Sequence, residues 1–506
     1  MVDAEDPKPQ PLWKRYFWIN TATNYVRTII RLATGLVLFR LLFSGLDSNE
    51  FGFWSLLWSL FGYGVLLDFG FGFTAQKAVA EKTATGDMPG LSRLLSTMFW
   101  TFVLLALGVG CFFFLIADWF LSPLGLPDHD QGKYYTSYFV FFAGLALTFP
   151  FGLFPEMLRG LQRIYLANAV NTASTLLNFI GIALALYWGA AFEWIVLISV
   201  ATTLLPNLVA AALALRLLRG VSLNPRHFHW GSVKSQMGFS IAAYLITFSN
   251  LLMSKSDQLV IGLCLGVGAV TLYQAGYKVA EMLNLFTIQL QDALSPAAAS
   301  MNAEGDREGL RELLLKTSRL TFLVTTPLYL LCAVYLDPLI RLLTGLEKVP
   351  GETYWSGQIL LLAIFSSQLT NSCSKRILMM CGYEKKLLSI ALIDGLANLG
   401  ISIALALTLG IFGVALGTLL PTALVGWLWV LPLTLAYLDL KLTKYFLFWI
   451  QGTWFPLGVF GFLLLILEGF FPIGPDSGFL DLLWRGVACG GPWLLLSAKT
   501  LLATRR

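Results

Sequence analysis

The chain has 506 residues, of which 57% are hydrophobic and only 12% are charged, and its mean hydropathy is +0.72. This composition excludes an ordinary soluble globular protein. The formal net charge of +5 indicates no nucleic-acid partner, because the cations cluster in the short connections between apolar runs. We therefore predict an all-α polytopic membrane protein that binds no nucleic acid.

Apolar runs of about 20 residues, the length that crosses ~30 Å of hydrocarbon, recur along the whole chain. We count about 14 predicted transmembrane helices. If the N-terminus is cytoplasmic, nearly all lysines and arginines of the connections fall on the cytoplasmic side, and the outer loops hold only Lys133 and Lys348. This asymmetry supports the span count and predicts that both termini are cytoplasmic.

The first predicted span contains the stretch NTATNYVRTIIRLATGLVLFR, which is apolar yet holds three arginines. Asn20, Asn24, Arg27 and Arg31 follow at three- or four-residue spacing, so they share one face of a helix. A charge at membrane depth is costly, and we expect Arg27 and Arg31 to face a wet cavity. The alternative is that both snorkel to lipid phosphates at the cytoplasmic surface. Arg40 lies on the opposite side and is not expected to contact cargo.

Three more predicted spans carry weaker polar signals. Asp68 lies near the cytoplasmic end of the second span, in DFGFG, where an acidic residue can stay wet and a structural role is favoured. Asn171 and Asn178 belong to an uncharged stripe on the fifth span, which either contacts sugar hydroxyls or bonds to a neighbouring helix. On the seventh span, Lys255 and Asp257 are two residues apart and point in different directions, and Lys255 is a candidate for lining a central cavity.

The eighth predicted span carries a second polar stripe, in which Gln274, Lys278 and Glu281 recur at helical spacing. Lys278 and Glu281 are three residues apart and can pair within the helix. Alternatively, Lys278 binds the cargo and Glu281 changes its protonation between transport states. The sequence leaves these two interpretations open.

Three short sequences occur in similar form in both halves of the chain, and we call each such pair an echo. GDMPGLSRLL begins at Gly86 and GDREGLRELL at Gly305, IALAL begins at Ile182 and Ile403, and TLLP occurs at Thr203 and Thr418. Three echoes in one order at nearly one offset indicate duplication of a six-span unit, with parallel repeats about an axis along the membrane normal. The predicted domains are an N-lobe at 1–235 (spans 1–6), a C-lobe at 236–448 (spans 7–12) and spans 13–14 at 449–506. Such an architecture usually binds its substrate between the lobes.

Two stretches carry a family resemblance. The run from Arg40 to Asp87 has an arginine, a short loop ending in an acidic residue before a phenylalanine and glycine (EFG), and a span that ends in DFGFG. The run SKSDQLVIGLCLGVGAVTLYQAGYKVAEML has an aspartate before an IG pair and a tyrosine after a turn. Both resemble polysaccharide-exporting flippases of the oligosaccharide-lipid or O-antigen type, in the multidrug/oligosaccharidyl-lipid/polysaccharide exporter superfamily.

The resemblance implies a transporter, not an enzyme, in the bacterial cytoplasmic (inner) membrane. It implies that the chain flips an undecaprenyl-diphosphate-linked oligosaccharide to the outer leaflet, with the bilayer and polysaccharide polymerase machinery as further partners. Because arginine suits paired phosphate oxygens, Arg27, Arg31, Lys255 and Lys278 are the expected substrate-binding cations. Asn20, Asn24, Asn171, Asn178 and Gln274 would line the cavity.

The resemblance also implies an ion-driven cycle without a bound cofactor or metal. No G-x-x-x-x-G-K-[ST] nucleotide loop occurs in the sequence, so we expect a proton or sodium gradient to drive transport. Asp257 matches the aspartate before the IG pair, which serves packing or coupling, and Asp68 and Glu281 are the other coupling candidates.

Three alternatives remain open. A lipid II flippase also has a cationic cavity and a similar number of spans, and a multidrug or toxin exporter would share the fold but favour an acidic, aromatic pocket. A membrane glycosyltransferase, polymerase or ligase acting on the same lipid-linked sugars would need acid/base groups at the outer face. The longest early outer loop holds Asp128, His129 and Asp130, but the other outer loops are short.

Overall fold

The computed structural model describes residues 12–63, 71–229, 248–249, 251–252, 255–289, 291, 294–474 and 478–503. All regular secondary structure in these residues is helical. The helices of the first half are α1 (Leu12–Gly45), α2 (Ser48–Tyr63), α3 (Phe71–Thr85), α4 (Met88–Leu115), α5 (Ala117–Leu121), α6 (Gln131–Phe151), α7 (Leu153–Gly160), α8 (Ile164–Tyr187) and α9 (Phe192–Leu217).

The second half contains a further series of helices and two π-helical segments, Gln368–Ser372 and Gly426–Val430. Its helices are α10 (255–265), α11 (Val267–Gln289), α12 (Leu294–Glu304), α13 (Arg307–Val334), α14 (Leu336–Thr344), α15 (Gly351–Ser367), α16 (Cys373–Met380), α17 (Glu384–Val425), α18 (Leu431–Tyr437), α19 (Leu442–Ile450), α20 (Trp454–Phe470) and α21 (Phe479–Ala503).

Six helical stretches within the described residues are long and apolar enough to cross a bilayer, or seven if the bent pair α19 and α20 counts as one span. The chain is therefore a multi-pass membrane protein, while the count of about 14 spans stays a prediction. Helix α1 is 34 residues long but is not among the six. One of the six, Glu384–Tyr437, covers two predicted spans.

Helix α17 is a helical hairpin that bends at Gly410, whose backbone is non-helical with φ 62° and ψ −144°. The two arms run antiparallel and in close contact. A Cβ atom at Gly413 would lie 2.2 Å from the Leu405 carbonyl oxygen, and one at Gly417 would lie 2.3 Å from the Ser402 hydroxyl. These two glycines therefore allow the arms to approach.

The described helices form two compact units. Unit 1 comprises Met1–Glu50 and Phe61–Tyr244, and unit 2 comprises Phe51–Leu60 and Leu245–Arg506, each over its described residues. In unit 1, α1 packs on α8, and α6 packs on α4 and α9. In unit 2, α15 packs on α11 and α17, and α20 packs on α21. The predicted domain boundaries at 235 and 448 stay predictions.

The first copy of the repeated G-D-x-x-G motif lies at the start of helix α4. Gly86 has φ 74°, the left-handed conformation that favours glycine. Asp87 is the N-cap of α4, and its carboxylate accepts a hydrogen bond from the Gly90 N–H at 2.9 Å. The Lys82 ammonium lies 2.6 Å from the same carboxylate. The hydrogen bond from Lys82, followed by that from Gly90, lowers the pKa of Asp87 below its usual range.

The second copy has the same local structure. Gly305 has φ 72°, and Asp306 is the N-cap of α13, accepting from the Gly309 N–H at 2.8 Å. A Cβ atom at Gly309 would lie 2.1 Å from the Asp306 carboxylate. The motif is therefore explained by helix capping alone. It carries information about the fold and none about the cargo.

We expect Asp306→Ala to destabilise unit 2 by about 0.5–2 kcal/mol, because it leaves a backbone N–H at the start of α13 without its acceptor. Thermal unfolding of the purified protein in detergent should show a lower melting temperature. Glu308→Ala removes an exposed acid that lies two residues after the cap, in the first turn of α13, and is the matched control. Equal melting temperatures for the two variants would contradict the capping role.

Candidate functional site

The N-terminal residue of the polar face of α1, Asn20, packs inside unit 1. Asn20 is buried, and its side-chain N–H donates to the Gln162 carbonyl oxygen at 3.2 Å. Its side-chain oxygen accepts from the Tyr165 N–H at 2.9 Å. Gln162 has φ 61°, a left-handed turn between α7 and α8. Asn20 therefore fastens α1 to this turn, whether or not it also lines a cavity.

The deeper part of the stripe holds clustered positive charge. Arg27 is half-buried and donates to the Asn24 side-chain oxygen at 3.3 Å, and Arg31 is exposed. The guanidinium of Arg159, on α7, is near enough to repel that of Arg27, as is that of Arg31. Glu156 pairs with Arg159 within α7. Unit 1 thus brings the guanidinium groups of Arg31 and Arg159 within electrostatic range of Arg27, and Glu156 pairs with Arg159 alone among the three in the described residues.

The polar stripe on α8 bonds largely to protein. Asn171 donates to the Ala167 carbonyl oxygen at 2.8 Å within its own helix, and Asn178 donates to the Thr202 hydroxyl on α9 at 2.7 Å. Both side chains are half-buried. These contacts match the helix-to-helix alternative for this stripe. Contact with sugar hydroxyls stays a prediction.

In unit 2, Lys278 and Glu281 form the pair that their spacing allows, with 2.9 Å between Nζ and Oε2. Their side chains are 23% and 29% exposed, so both are accessible for further contacts. Gln274, one turn earlier on α11, is buried. Lys255 is half-buried, and its carbonyl oxygen accepts from the Ser59 hydroxyl at 2.8 Å. The predicted Asp68 lies outside the described residues.

Asp257 lies at the centre of the most developed polar network in the described part of unit 2. One carboxylate oxygen accepts from the hydroxyls of Tyr273 and Thr418, the latter at 2.8 Å. Thr418 in turn accepts from the Asn398 amide at 3.2 Å, and the Asn398 oxygen accepts from Ser256 at 3.3 Å. The network joins α10, α11 and both arms of α17.

A small cavity of about 150 Å³ adjoins this network. Asp257, Tyr277, Asn284, Thr418 and Thr422 are among its lining residues. The second carboxylate oxygen of Asp257 is buried and has no hydrogen-bond partner among the described residues. The cavity is large enough for water or a small ion, and its carboxylate, hydroxyl and amide oxygens are the ligands that hard cations prefer.

Unit 1 has a related contact without the carboxylate. There, Asn178 and Thr202 join α8 to α9, as Asn398 and Thr418 join the two arms of α17. Asn178 and Asn398 lie four and five residues before the two IALAL copies, Thr418 begins the second TLLP, and Thr202 directly precedes the first. From sequence alone, Asn178 was a candidate for lining the cavity, whereas Thr202, Asn398 and Thr418 were not candidates for the site. Asp257 is more than 140 residues from Asn398 along the chain.

The family of polysaccharide biosynthesis proteins matches residues 37–347, which is more than half of the chain. The chain belongs to this family. The match covers the predicted substrate-binding residues Lys255 and Lys278 and the carboxylate Asp257, and it begins after Arg27 and Arg31. No curated protein sequence matches the chain significantly.

Solved structures similar to this polysaccharide biosynthesis protein are transporters and flippases. The lipid II flippase MurJ in an inward closed conformation has a TM-score of 0.72 at 14% identity, over 95% of this chain and 99% of MurJ. An inward-facing MATE-family multidrug transporter of the MOP superfamily has a TM-score of 0.67 at 16% identity, over 81% and 98%.

A MOP-superfamily transporter from Pyrococcus furiosus, described as having a binding pocket of reversed polarity, has a TM-score of 0.57 at 14% identity, over 86% and 100%. Identities this low show the fold alone. They show that this polysaccharide biosynthesis protein has a MATE-like fold.

We expect Thr418→Val to destabilise the protein by about 1–3 kcal/mol, because Asp257 loses a donor and Asn398 an acceptor in a buried network. The apparent melting temperature in detergent should fall, and Thr418→Ser should restore it. Thr408→Val, which removes an exposed threonine hydroxyl from the same hairpin, should have little effect. A Thr418→Val protein as stable as Thr408→Val would contradict this network.

Proposed function

We propose that the protein flips a polyprenyl-diphosphate-linked oligosaccharide from the cytoplasmic to the outer leaflet of a bacterial inner membrane. The headgroup passes through the protein by alternating access, while the polyprenyl tail remains in the bilayer. The product supplies cell-surface polysaccharide biosynthesis, such as O-antigen assembly, and the polysaccharide polymerase machinery is the expected partner. No catalytic step is proposed.

The observation that carries this proposal is the cluster of Arg27, Arg31 and Arg159 in a member of the polysaccharide biosynthesis family. Three guanidinium groups near a single carboxylate leave positive charge unbalanced, which is costly at membrane depth unless an anion is present. Arginine presents a planar fork of donors that matches the paired oxygens of a diphosphate. Lys255 and Lys278 are the proposed cations of unit 2.

Lipid II is a second candidate cargo, since it shares the polyprenyl diphosphate and its flippase MurJ has a similar fold. The clustered arginines distinguish between anionic and cationic cargo, and they argue against a multidrug exporter that would favour an acidic pocket. They do not distinguish between sugars. The transport assay therefore includes lipid II as an alternative substrate.

We further propose that a sodium or proton gradient drives the cycle as an antiporter, with Asp257 as the coupling carboxylate. Its unpartnered oxygen in the cavity supports this role. Glu281 is a weaker candidate because Lys278 already neutralises it. Asp68 remains a third candidate.

We expect Arg27→Ala and Arg31→Ala each to slow flipping of a lipid-diphosphate oligosaccharide in proteoliposomes by about 10- to 100-fold. The estimate follows from the loss of about 1.5–3 kcal/mol when a charge-assisted hydrogen bond is removed. Arg31→Lys should retain part of the rate, because it keeps the charge but loses the fork. The rate is measured from transbilayer movement of a labelled headgroup.

Arg40→Ala is the matched control, since Arg40 is an exposed arginine of the same helix on another face. Wild-type rates in Arg27→Ala and Arg31→Ala, with correct folding, would remove the substrate-binding assignment. Faster movement of lipid II than of the oligosaccharide lipid would favour the second candidate. Hydrolysis or extension of the substrate would indicate an enzyme.

We expect Asp257→Asn to abolish the dependence of flipping on the driving gradient. The amide keeps the shape of the side chain and its contacts with Tyr273 and Thr418 but cannot carry the charge. Flipping is measured with a sodium gradient, with a pH gradient and with neither. An Asp257→Asn protein that still responds fully to the gradient would exclude Asp257 as the coupling group.

A further inference from the structure

Helices α4 and α6 of unit 1 form an apolar groove of about 660 Å³, a size typical of small-molecule sites. Helix α4 is long and apolar enough to cross a bilayer, so the groove lies at membrane depth. Trp100 and Phe114 are among the aromatic residues that line it. Small residues let the two helices approach, since a Cβ atom at Gly110 would lie 3.7 Å from the Ala146 Cβ atom.

Unit 2 has a smaller groove at the corresponding place, between α13 and α15, with a volume of about 420 Å³. At the offset between the two copies of the G-D-x-x-G motif, Leu107 corresponds to Thr326 and Gly110 to Tyr329. All four residues line their grooves. Tyr329 is buried, with its ring centroid 5.2 Å from that of Phe365. Its ring occupies space that Gly110 leaves open in unit 1.

The segment that follows α9 lies along the first turns of α4. The Trp100 indole N–H donates to the Leu223 carbonyl oxygen at 3.1 Å, and the Thr97 hydroxyl donates to the His227 carbonyl oxygen at 3.3 Å. Trp100 also lines the groove. Its indole therefore joins one end of the groove to this segment.

The segment is strongly basic, and we call residues 216–229 the basic segment. It contains three arginines and two histidines and no acidic residue, and its three arginines are exposed. Arg93 is exposed as well, and it lies seven residues before Trp100 on the same face of α4. Within the described part of the chain, none of these four arginines forms an ion pair. At the place of Arg93, α13 has Glu312, which pairs with Lys316 at 2.7 Å.

An apolar groove that ends at exposed arginines is complementary to a molecule with an apolar chain and an anionic head. Leu107 is 61% exposed, so the groove opens on the bilayer, which supplies such molecules. Arginine suits the paired oxygens of a phosphate, and basic segments beside membrane-spanning helices attract anionic lipids.

We propose that unit 1 binds an anionic phospholipid of the bilayer, with an acyl chain in the α4–α6 groove and its phosphate at Arg226 and Arg93. Trp100 is the positioning residue that holds the basic segment at the end of the groove. The bound lipid joins α4 and α6 to this segment. No residue proposed to bind the cargo or the driving ion lines this groove.

The headgroup is tested by titrating the purified protein in detergent with phosphatidylglycerol or with phosphatidylcholine of the same acyl chains, and counting bound lipid by native mass spectrometry. We expect phosphatidylglycerol to bind about tenfold more tightly, because only its net charge is negative. Arg226→Ala should weaken its binding about tenfold through the loss of a charge-assisted hydrogen bond, and should leave phosphatidylcholine unchanged. Lys385→Ala, which removes an exposed lysine of unit 2, is the control.

The groove is tested with Leu107→Trp, which fills it and should weaken binding of both lipids about tenfold, since the acyl chain loses buried apolar contact. Leu104→Trp is the matched control, because Leu104 lies on the same helix and is 59% exposed but does not line the groove. Phosphatidylglycerol with a diazirine in its acyl chain should cross-link to groove residues of α4 and α6, and Leu107→Trp should reduce this cross-linking.

Other occupants predict different results, and each would overturn the proposal. Equal affinity for the two lipids, or cross-links spread evenly around α4, would indicate ordinary bilayer lipid. Displacement of phosphatidylglycerol by a polyprenyl phosphate at lower concentration would assign the groove to the tail of the cargo. A dimer that Leu107→Trp dissociates would assign it to a second copy of the chain. If Leu107→Trp fails to fold, the cross-links of the wild-type protein decide.

Discussion

The hydrocarbon interior of a membrane offers no water, so each polar group inside it must find a partner in the protein or in a ligand. This constraint explains most of the polar residues described here. Asn20 donates a hydrogen bond to the turn between α7 and α8, and Asn178 donates one from α8 to α9. One carboxylate oxygen of Asp257 accepts two hydrogen bonds, from Tyr273 and Thr418. The second oxygen of Asp257 is buried without a hydrogen-bond partner among the described residues, so it is a place where a mobile cation has much to contribute.

The two units share the same kinds of helix cap and helix-to-helix hydrogen bond, but they differ in the charge of their polar residues. Both repeat copies begin a helix with an aspartate cap, and both join antiparallel helices through an asparagine and a threonine. The arginine cluster lies in unit 1, and the buried carboxylates lie in unit 2. In our proposal the arginines of unit 1 recognise the anionic cargo, while unit 2 adds the substrate-binding cations Lys255 and Lys278 and binds the driving ion at Asp257.

Sequence periodicity predicted the features that lie within a single helix. It predicted the polar stripe of α1 and allowed the Lys278–Glu281 pair, because both follow from a spacing of three or four residues, while the helical class followed from composition and the length of the apolar runs. It did not find Arg159 beside Arg27, or Asn398 beside Asp257, because these partners are more than 100 residues apart and apolar helices give no local sign of their neighbours. The hairpin at Gly410 was expected as two separate spans. Its register, which is the set of residues of one arm that face residues of the other, could not be predicted, because it depends on how the two arms pack.

That register limits which changes in length the protein can tolerate. Removing one residue from either arm of α17 would turn every later side chain on that arm by about 100°, so that Thr418 or Asn398 would face lipid in place of its partner. Residues added at Gly410 would leave both arms in phase. Among natural relatives, insertions and deletions in this region should therefore occur at the tip of the hairpin and be absent from its arms.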